Sequence, residues 1–192
     1  MNPPAIAKGC FLPQFKSEEH DYTLVLDLDE TLVHTIASPI SLQECIVKLR
    51  PGAKEFIEEM AKYYELVIFT AGTQDYADYA LTFVDPKGCI RYKLYREHVT
   101  QNGLSTIKDI SRLGRDLSKV IIIDNIAENF QLQSGNGIFI NSWEGDETDT
   151  SLIDLMPILK NIVENKVKDV RVALRNYRDY QIRKLLNNHI LQ

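Results

Sequence analysis

The chain predicts an α/β fold of three layers, α/β/α, around a central, mainly parallel sheet. Three observations carry this. Apolar runs starting near residues 22, 65, 118 and 137 alternate with stretches of helical character, the pattern of strand–helix–strand units. The runs Leu24-Val25-Leu26 and Val120-Ile-Ile-Ile123 are unbroken, as in strands buried on both faces. Polar residues gather at the same end of three strands: Asp27 and Asp29, Thr70, and Asp124-Asn125. In open parallel sheets ligands bind beyond the C-terminal strand ends, so this edge reads as a site.

The elements follow in order. Residues 1–21, with Pro3-Pro4 and the polar run Ser17 to Asp21, read as an irregular lead-in, with Phe11, Leu12 and Phe15 packed on the body. Residues 22–192 read as one domain that includes a C-terminal helix. After the first strand, Ser38-Pro39 marks a loop, and Glu44 to Leu49 reads as a short strand delivering Arg50. Pro51-Gly52 opens a helix with Phe56, Ile57, Met60 and Ala61 on one face. Glu65 to Thr70 is a second buried strand. Gln74 to Val84 reads as a helix whose face includes Tyr76, Tyr79, Ala80 and Phe83. Asp85-Pro-Lys-Gly88 is a turn, Ile90 to Tyr95 a strand, and Gln101-Asn-Gly103 another turn. Strands at Ser118–Asp124 and Gly137–Ile140 come next. A helix over Leu152–Val163 is expected to start with a capping box of Ser151 and Asp154. The last helix, about Asp169 to Asn188, is basic on one side through Arg171, Arg175, Arg178, Arg183 and Lys184, which reads as a solvated face.

Composition narrows the function. A formal net charge of -5 argues against broad nucleic-acid binding, so no direct nucleic-acid partner is expected. No run has the apolar length of a membrane span. The N-terminus lacks the apolar core of a secretion signal, so an intracellular location, nucleus or cytoplasm, is expected. Cys10, Cys45 and Cys89 match neither a disulfide framework nor a zinc spacing and read as small, buried or half-exposed thiols. Nothing in the sequence specifies an oligomeric state.

Two carboxylates at the end of a buried strand are costly unless something positive sits between them. The set suits phosphate-monoester hydrolysis, a reaction slow enough to need a nucleophile, a metal, a fixed cation and a proton donor together. Asp27 reads as the nucleophile and Asp29 as the acid and base. Thr70 would offer its hydroxyl, and the backbone at Ala71 an N–H group, to phosphate oxygens. Lys108 supplies the cation. Asp124 and Asn125 offer hard oxygens suited to Mg2+ rather than zinc. Taken singly, Thr70 is a strand-end hydroxyl, Lys108 a solvated lysine, Asp124 a turn former, and His34 and His98 structural or surface residues. Only the ordered set points to chemistry.

Asp27-Leu-Asp-Glu-Thr31 resembles the D-x-D-x-T signature of the haloacid dehalogenase superfamily, and Asp27 to His34 resembles the opening motif of the small carboxy-terminal-domain phosphatases of the FCP/SCP type. Arg50-Pro-Gly52, Phe69-Thr-Ala71 with Tyr76-Ala77, Ile107 to Leu117, Val120 to Asn125, and Ser142-Trp143 through Pro157 are similar to that family's later motifs. The resemblance implies a Rossmann-like, haloacid dehalogenase-type fold with only a small insertion in place of a cap domain. It implies a magnesium-dependent protein serine/threonine phosphatase acting through an aspartyl-phosphate on phosphorylated peptide segments, the RNA polymerase II carboxy-terminal domain among them. Asp27 carries over as nucleophile, Asp29 as acid and base, Thr70 and Lys108 as phosphate binders. The metal would be held by Asp27, the backbone carbonyl of Asp29, and Asn125, with Asp124 orienting Lys108. Three departures stand out: a short His34 to Arg50 segment, Thr70-Ala-Gly-Thr73 in place of Thr-Ala-Ser, and Ile126-Ala127 in place of Ser-Pro. Only 43 positions separate Asp27 from Thr70 and 38 separate Thr70 from Lys108, too few for a full cap, which favours a peptide over a small phosphometabolite. A phosphopeptide-binding scaffold without turnover is the non-enzyme alternative.

Overall fold

In a computed structural model of the chain, the residues described are 9–14, 20–36, 45–103 and 105–190. The elements are β1 (Thr23–Leu26), β2 (Val33–Ile36), β3 (Ile46–Leu49), α1 (Ala53–Met60), β4 (Glu65–Phe69), α2 (Gln74–Val84), β5 (Tyr92–Leu94), β6 (Thr100–Asn102), β7 (Ser105–Ile107), β8 (Val120–Asp124), β9 (Gly137–Phe139), α3 (Ser151–Glu164) and α4 (Val170–Ile190). The unbroken apolar runs do become the buried strands. One five-stranded sheet, all parallel, is ordered β5-β4-β1-β8-β9. β1 sits at its centre, where the chain order changes direction, and its C-terminal end opens on the crevice that such sheets use for ligands.

Burial on both faces is what the unbroken runs supply. Leu24, Leu26, Leu66, Ile68, Ile121 and Ile123 point to one side and pack with α1, α2, α3 and the start of α4. Val25, Val67, Phe69, Val120 and Ile122 point to the other and pack with Leu12, Ile110, Leu113 and Phe130. The fold is thus the expected three-layer α/β/α arrangement. Its second outer layer is made of short 3-10 stretches, Ile110–Leu113 and Ala127–Asn136, rather than long helices.

Several local expectations are corrected. The inward face of α2 is Ala77, Ala80, Leu81 and Val84, one step round from the aromatic face. Alanines let the helix lie close to the sheet, and Phe83, 39% exposed, instead meets Tyr79 edge to face outside. The Ser151–Asp154 capping box does not form. Asp149 takes the Ser151 N–H at 3.1 Å, while Asp154 accepts from the Thr150 hydroxyl at 2.8 Å. The strand before Arg50 has a partner that period-two reading missed: β2 and β3 form an antiparallel pair outside the main sheet. Gln101 and Asn102, expected in a turn, instead belong to β6, which pairs antiparallel with β7; of that stretch only Gly103 is a turn residue. Phe15, the Ser38-Pro39 loop, the first eight residues and the Lys184 side chain lie outside the described residues. Among the basic residues of α4, Arg171 pairs with Asp169, and Arg178 donates to the Gly137 carbonyl at 3.1 Å. Val170 and Leu174 of the same helix are buried in the core. Cys10, Cys45 and Cys89 form no disulfide among the described residues and are partly exposed. Among the described residues no helix is long and apolar enough to cross a membrane.

Arg50 ties these parts together. It is 1% exposed, yet its guanidinium meets Asp149 at 2.8 Å through both Nε and Nη2, and Nη1 donates to the Thr31 carbonyl at 3.3 Å. One side chain therefore joins the loop after β1, the start of α1 and the segment before α3. Its hydrogen bonds hold the Asp149 carboxyl below the usual carboxylate range. Asp149→Asn leaves a buried cation unpaired and is expected to lose about 3–5 kcal/mol of stability. In urea titrations the gap from wild type should be constant from pH 7 to pH 5. It should shrink as pH falls below about 3.9 and through the depressed pKa, because the group stabilises only while ionised.

Candidate active site

Asp27 follows β1 directly. Its N–H donates to the Ile123 carbonyl at 3.0 Å, so the β1–β8 register continues for one more residue and sets Asp27 beside Asp124. The chain then turns sharply, with the Leu28 carbonyl accepting from Leu32 at 2.9 Å and Val33 at 3.1 Å. Glu30 adopts a left-handed backbone with φ of 53°, its carbonyl held by the Trp143 N–H at 2.8 Å. Asp29 therefore reaches the site from a turn, not from the strand alternation that the spacing suggested.

Lys108 is fully buried. Its Nζ stands 2.5 Å from Asp27 Oδ1 and 2.6 Å from Asp124 Oδ2, so one ammonium is shared by two carboxylates. Burial alone would lower its pKa; the two carboxylates outweigh that and hold it above the usual lysine range. Asp124 is pushed up by burial and by the nearby Asp27 charge, against the pull of Lys108. Asp124 Oδ1 accepts from the Ile126 N–H at 2.8 Å, which fixes the carboxylate on both sides.

Thr70 follows β4, where its N–H continues the pairing with the Leu94 carbonyl at 2.9 Å. Its hydroxyl donates to Asp29 Oδ2 at 3.3 Å and accepts the Gly72 N–H at 2.9 Å. The other Asp29 oxygen accepts from the Tyr76 hydroxyl of α2. Tyr76 has one proton, and the carboxylate takes it, so Thr35 of β2, 2.9 Å away, donates to the phenolic oxygen. Burial, with a smaller push from Asp27, raises the Asp29 pKa; the Tyr76 hydrogen bond opposes this. A Cβ at Gly72 would lie 2.9 Å from the Tyr76 ring and 3.2 Å from the Thr70 hydroxyl, so a side chain there would have to shift the ring. The Ala71 carbonyl accepts from Arg96 Nε at 2.8 Å.

The loop after β1 also passes close to Asn125. Thr31 Oγ1 stands 3.1 Å from Asp27 Oδ2 and 3.5 Å from Asn125 Oδ1. Asn125 donates its amide to Ser142 Oγ at 3.0 Å, which leaves the amide oxygen facing Thr31 Oγ1, the same hydroxyl that meets Asp27. Among the described residues no three His, Cys, Asp or Glu side chains form a metal-binding group. A donor set of one carboxylate, one amide oxygen and one main-chain carbonyl is not of that kind. It is the hard-oxygen type that Mg2+ accepts, and the residues present fit it.

The structure thus brings Asp27, Asp29, Thr70, Lys108, Asp124 and Asn125 to one end of the sheet, with Ala71 beside them. His34 pairs with Glu30 at 3.1 Å, and His98 accepts from the Tyr95 N–H at 3.0 Å, the structural uses expected of both. Sequence reasoning missed the contacts of Thr31, Tyr76 and Ser142 with these groups. The signals available were the four-residue step from Asp27 to Thr31, the position of Tyr76 on the first turn of α2, and the place of Tyr76 and Ser142 in the motif-like stretches.

An open parallel sheet with paired acids, a buried lysine and a strand-end threonine at its C-terminal edge defines a haloacid dehalogenase-type hydrolase fold. The solved structure of Fcp1, described as an essential RNA polymerase II CTD phosphatase, has the same fold, with a TM-score of 0.54 at 22% identity over 89% of this chain and 54% of that one. The chain belongs to the NLI interacting factor-like phosphatase family, whose model matches residues 22–171. It is 37% identical to CTD small phosphatase-like protein 2 of Dictyostelium discoideum over 94% of this chain and 33% of that protein. It is 41% identical to the mitochondrial import inner membrane translocase subunit tim50 of Aspergillus fumigatus over 81% of this chain and 31% of that protein. The chain therefore spans about a third of the length of these two relatives.

The shared ammonium is the costliest feature of the site to disturb. Lys108→Met is expected to lose about 3–5 kcal/mol of stability, measured by chemical denaturation. The double variant Lys108→Met/Asp124→Asn should recover part of that loss, because one stranded carboxylate has been neutralised.

Proposed function

We propose that the chain is a magnesium-dependent protein serine/threonine phosphatase that works through an aspartyl-phosphate on Asp27, with residues 22–192 as its folding unit. The observation that carries this is the sharing of Lys108 between Asp27 and Asp124, with Asp29 held separately by Thr70 and Tyr76. One carboxylate is paired with a fixed cation. The other is desolvated and has its pKa raised, as a proton donor needs.

In this reading Asp27 attacks phosphorus in line, forming the acyl-phosphate bond as the ester P–O bond breaks. Asp29 gives its proton to the leaving oxygen. It then takes a proton from water as water attacks the acyl phosphate, releasing inorganic phosphate and restoring Asp27. Lys108, the Thr70 hydroxyl and the backbone N–H at Ala71 hold the phosphate oxygens. Asp27, the Asp29 carbonyl and Asn125 would hold Mg2+, which supplies Lewis-acid neutralisation of the phosphoryl charge when bound.

The surroundings support a peptide substrate. The β2–β3 pair adjoins the site through Thr35 and Tyr76 and presents Ile36 and Ile46, 45% and 58% exposed, as a small apolar rim. A phosphorylated segment of another protein suits such a rim, and the polymerase carboxy-terminal domain named for Fcp1 is one candidate. The tim50 relative is named as a translocase subunit rather than a phosphatase, which keeps the phosphopeptide-binding alternative in view; Thr31 and Lys108 in contact with Asp27, and Asp29 held beside them by Thr70 and Tyr76, argue for turnover. A nuclear or cytoplasmic location belongs to the same proposal and is checked by imaging the tagged chain.

The purified protein should release phosphate from p-nitrophenyl phosphate only with Mg2+, and Asp27→Asn should abolish release. Wild type that releases nothing under those conditions would sink the proposal. Asp29→Asn should accumulate or slow the phospho-enzyme while keeping Mg2+ affinity; loss of that affinity would remove Asp29 from the acid–base role. Activity should be highest below neutral pH and fall as pH rises through the elevated Asp29 pKa, since the protonated form acts first. Turnover of phosphopeptides well above that of small phosphometabolites distinguishes the protein phosphatase from a metabolite enzyme.

A further inference from the structure

We infer that Asn129 is a positioning residue that sets the Lys108–Asp124 pair for phosphoryl transfer, with Thr106 as its anchor; this rests on the phosphatase reading above. Asn129 lies in the 3-10 stretch after β8 and is buried. Its amide nitrogen donates to both oxygens of Asp124, at 3.0 and 3.1 Å. Its amide oxygen accepts from the Thr106 hydroxyl at 3.1 Å. Its main-chain carbonyl accepts from the Lys108 N–H at 2.7 Å. Three groups of one residue thus hold the side chain of Asp124, the backbone of Lys108 and the strand, β7, that delivers Lys108.

The geometry explains why a single asparagine matters here. Lys108 must reach Asp27 and Asp124 at once, at 2.5 and 2.6 Å, so the ends of two separate segments have to be fixed against each other. The Ile126 N–H fixes only one Asp124 oxygen, and the other faces the ammonium. Asn129 spans both oxygens and so sets the rotation of the carboxylate plane. A planar amide is suited to this because it carries donor and acceptor on opposite sides: the acceptor-only Asp124 carboxylate takes the NH2 side, which leaves the amide oxygen to the Thr106 hydroxyl. A carboxylate turned out of this plane would draw the ammonium away from Asp27. The side-chain hydrogen bonds of Asn129 go to Asp124 and Thr106 rather than to Asp27, Asp29 or Asn125, so it acts through the pair.

The test separates positioning from general support. Asn129→Ala should lower kcat/KM for p-nitrophenyl phosphate by about 10- to 100-fold, the rate equivalent of a hydrogen bond to a charged group. The Mg2+ concentration giving half-maximal activity should change by less than about twofold, because the metal-binding oxygens are untouched. A loosened site would weaken both together, and that result overturns the inference. So does a folded Asn129→Ala protein with kcat/KM within about threefold of wild type. If Asn129→Ala does not fold, Thr106 decides: Thr106→Val should reduce kcat/KM and Thr106→Ser should recover most of it, whereas equal activity in both variants and wild type counts against the anchor and the inference. Absence of phosphate release by wild type overturns the phosphatase reading itself, and the inference with it.

Discussion

One buried ammonium governs this protein. Lys108 has no exposed surface, and an unpaired charge in that position would be prohibitive. It is tolerable only because Asp27 and Asp124 reach it from neighbouring strands whose register sets them side by side. The same condition works in reverse: two carboxylates that close would repel, and the lysine allows both to be buried. The central sheet, the β6–β7 hairpin and the stretch after β8 all converge on this arrangement. What would be a stability liability in an ordinary core is here a fixed distribution of charge, ready before any substrate arrives.

Around it the site divides into two halves. On one side, Asp27, Asp124, Thr31 and Asn125 present oxygens and a cation in a largely dry setting. On the other, Asp29 is held by Thr70 and Tyr76 on groups that belong to β4 and α2. The two aspartates are only two residues apart, yet their surroundings differ because the chain turns at Leu28. That turn depends on a left-handed Glu30 whose carbonyl is fastened by Trp143, so a distant segment helps determine where the second acid sits.

The sequence made the sheet legible because strands buried on both faces need unbroken apolar runs, and these runs have no helical period. The site was legible as an ordered set: Asp27, Thr70 and Asp124 occur immediately after such runs, with Asp29 two residues beyond the first. Lys108 was not legible on its own, since a lysine after a short polar hairpin looks solvated until the fold closes over it. The α2 face was misread because large aromatics were weighed above alanines, whereas close helix–sheet packing favours the small side chains. β2 was missed because its residues, Val33 to Ile36, are buried at one end and exposed at the other, which gives no clean alternation. The Asn129 and Tyr76 contacts depend on side chains meeting across segments far apart in the chain, which spacing cannot show.

The glycine at position 72 couples two residues that would otherwise vary independently. With a hydrogen as its side chain, the chain leaves room for the tyrosine ring to lean in and bond the acid. Any larger group there would meet the ring at 2.9 Å and would have to displace it. Positions 72 and 76 are therefore constrained together, because the room left at one is filled by the ring of the other. A substitution at position 72 is thus a change in the surroundings of the acid rather than a neutral drift in a loop.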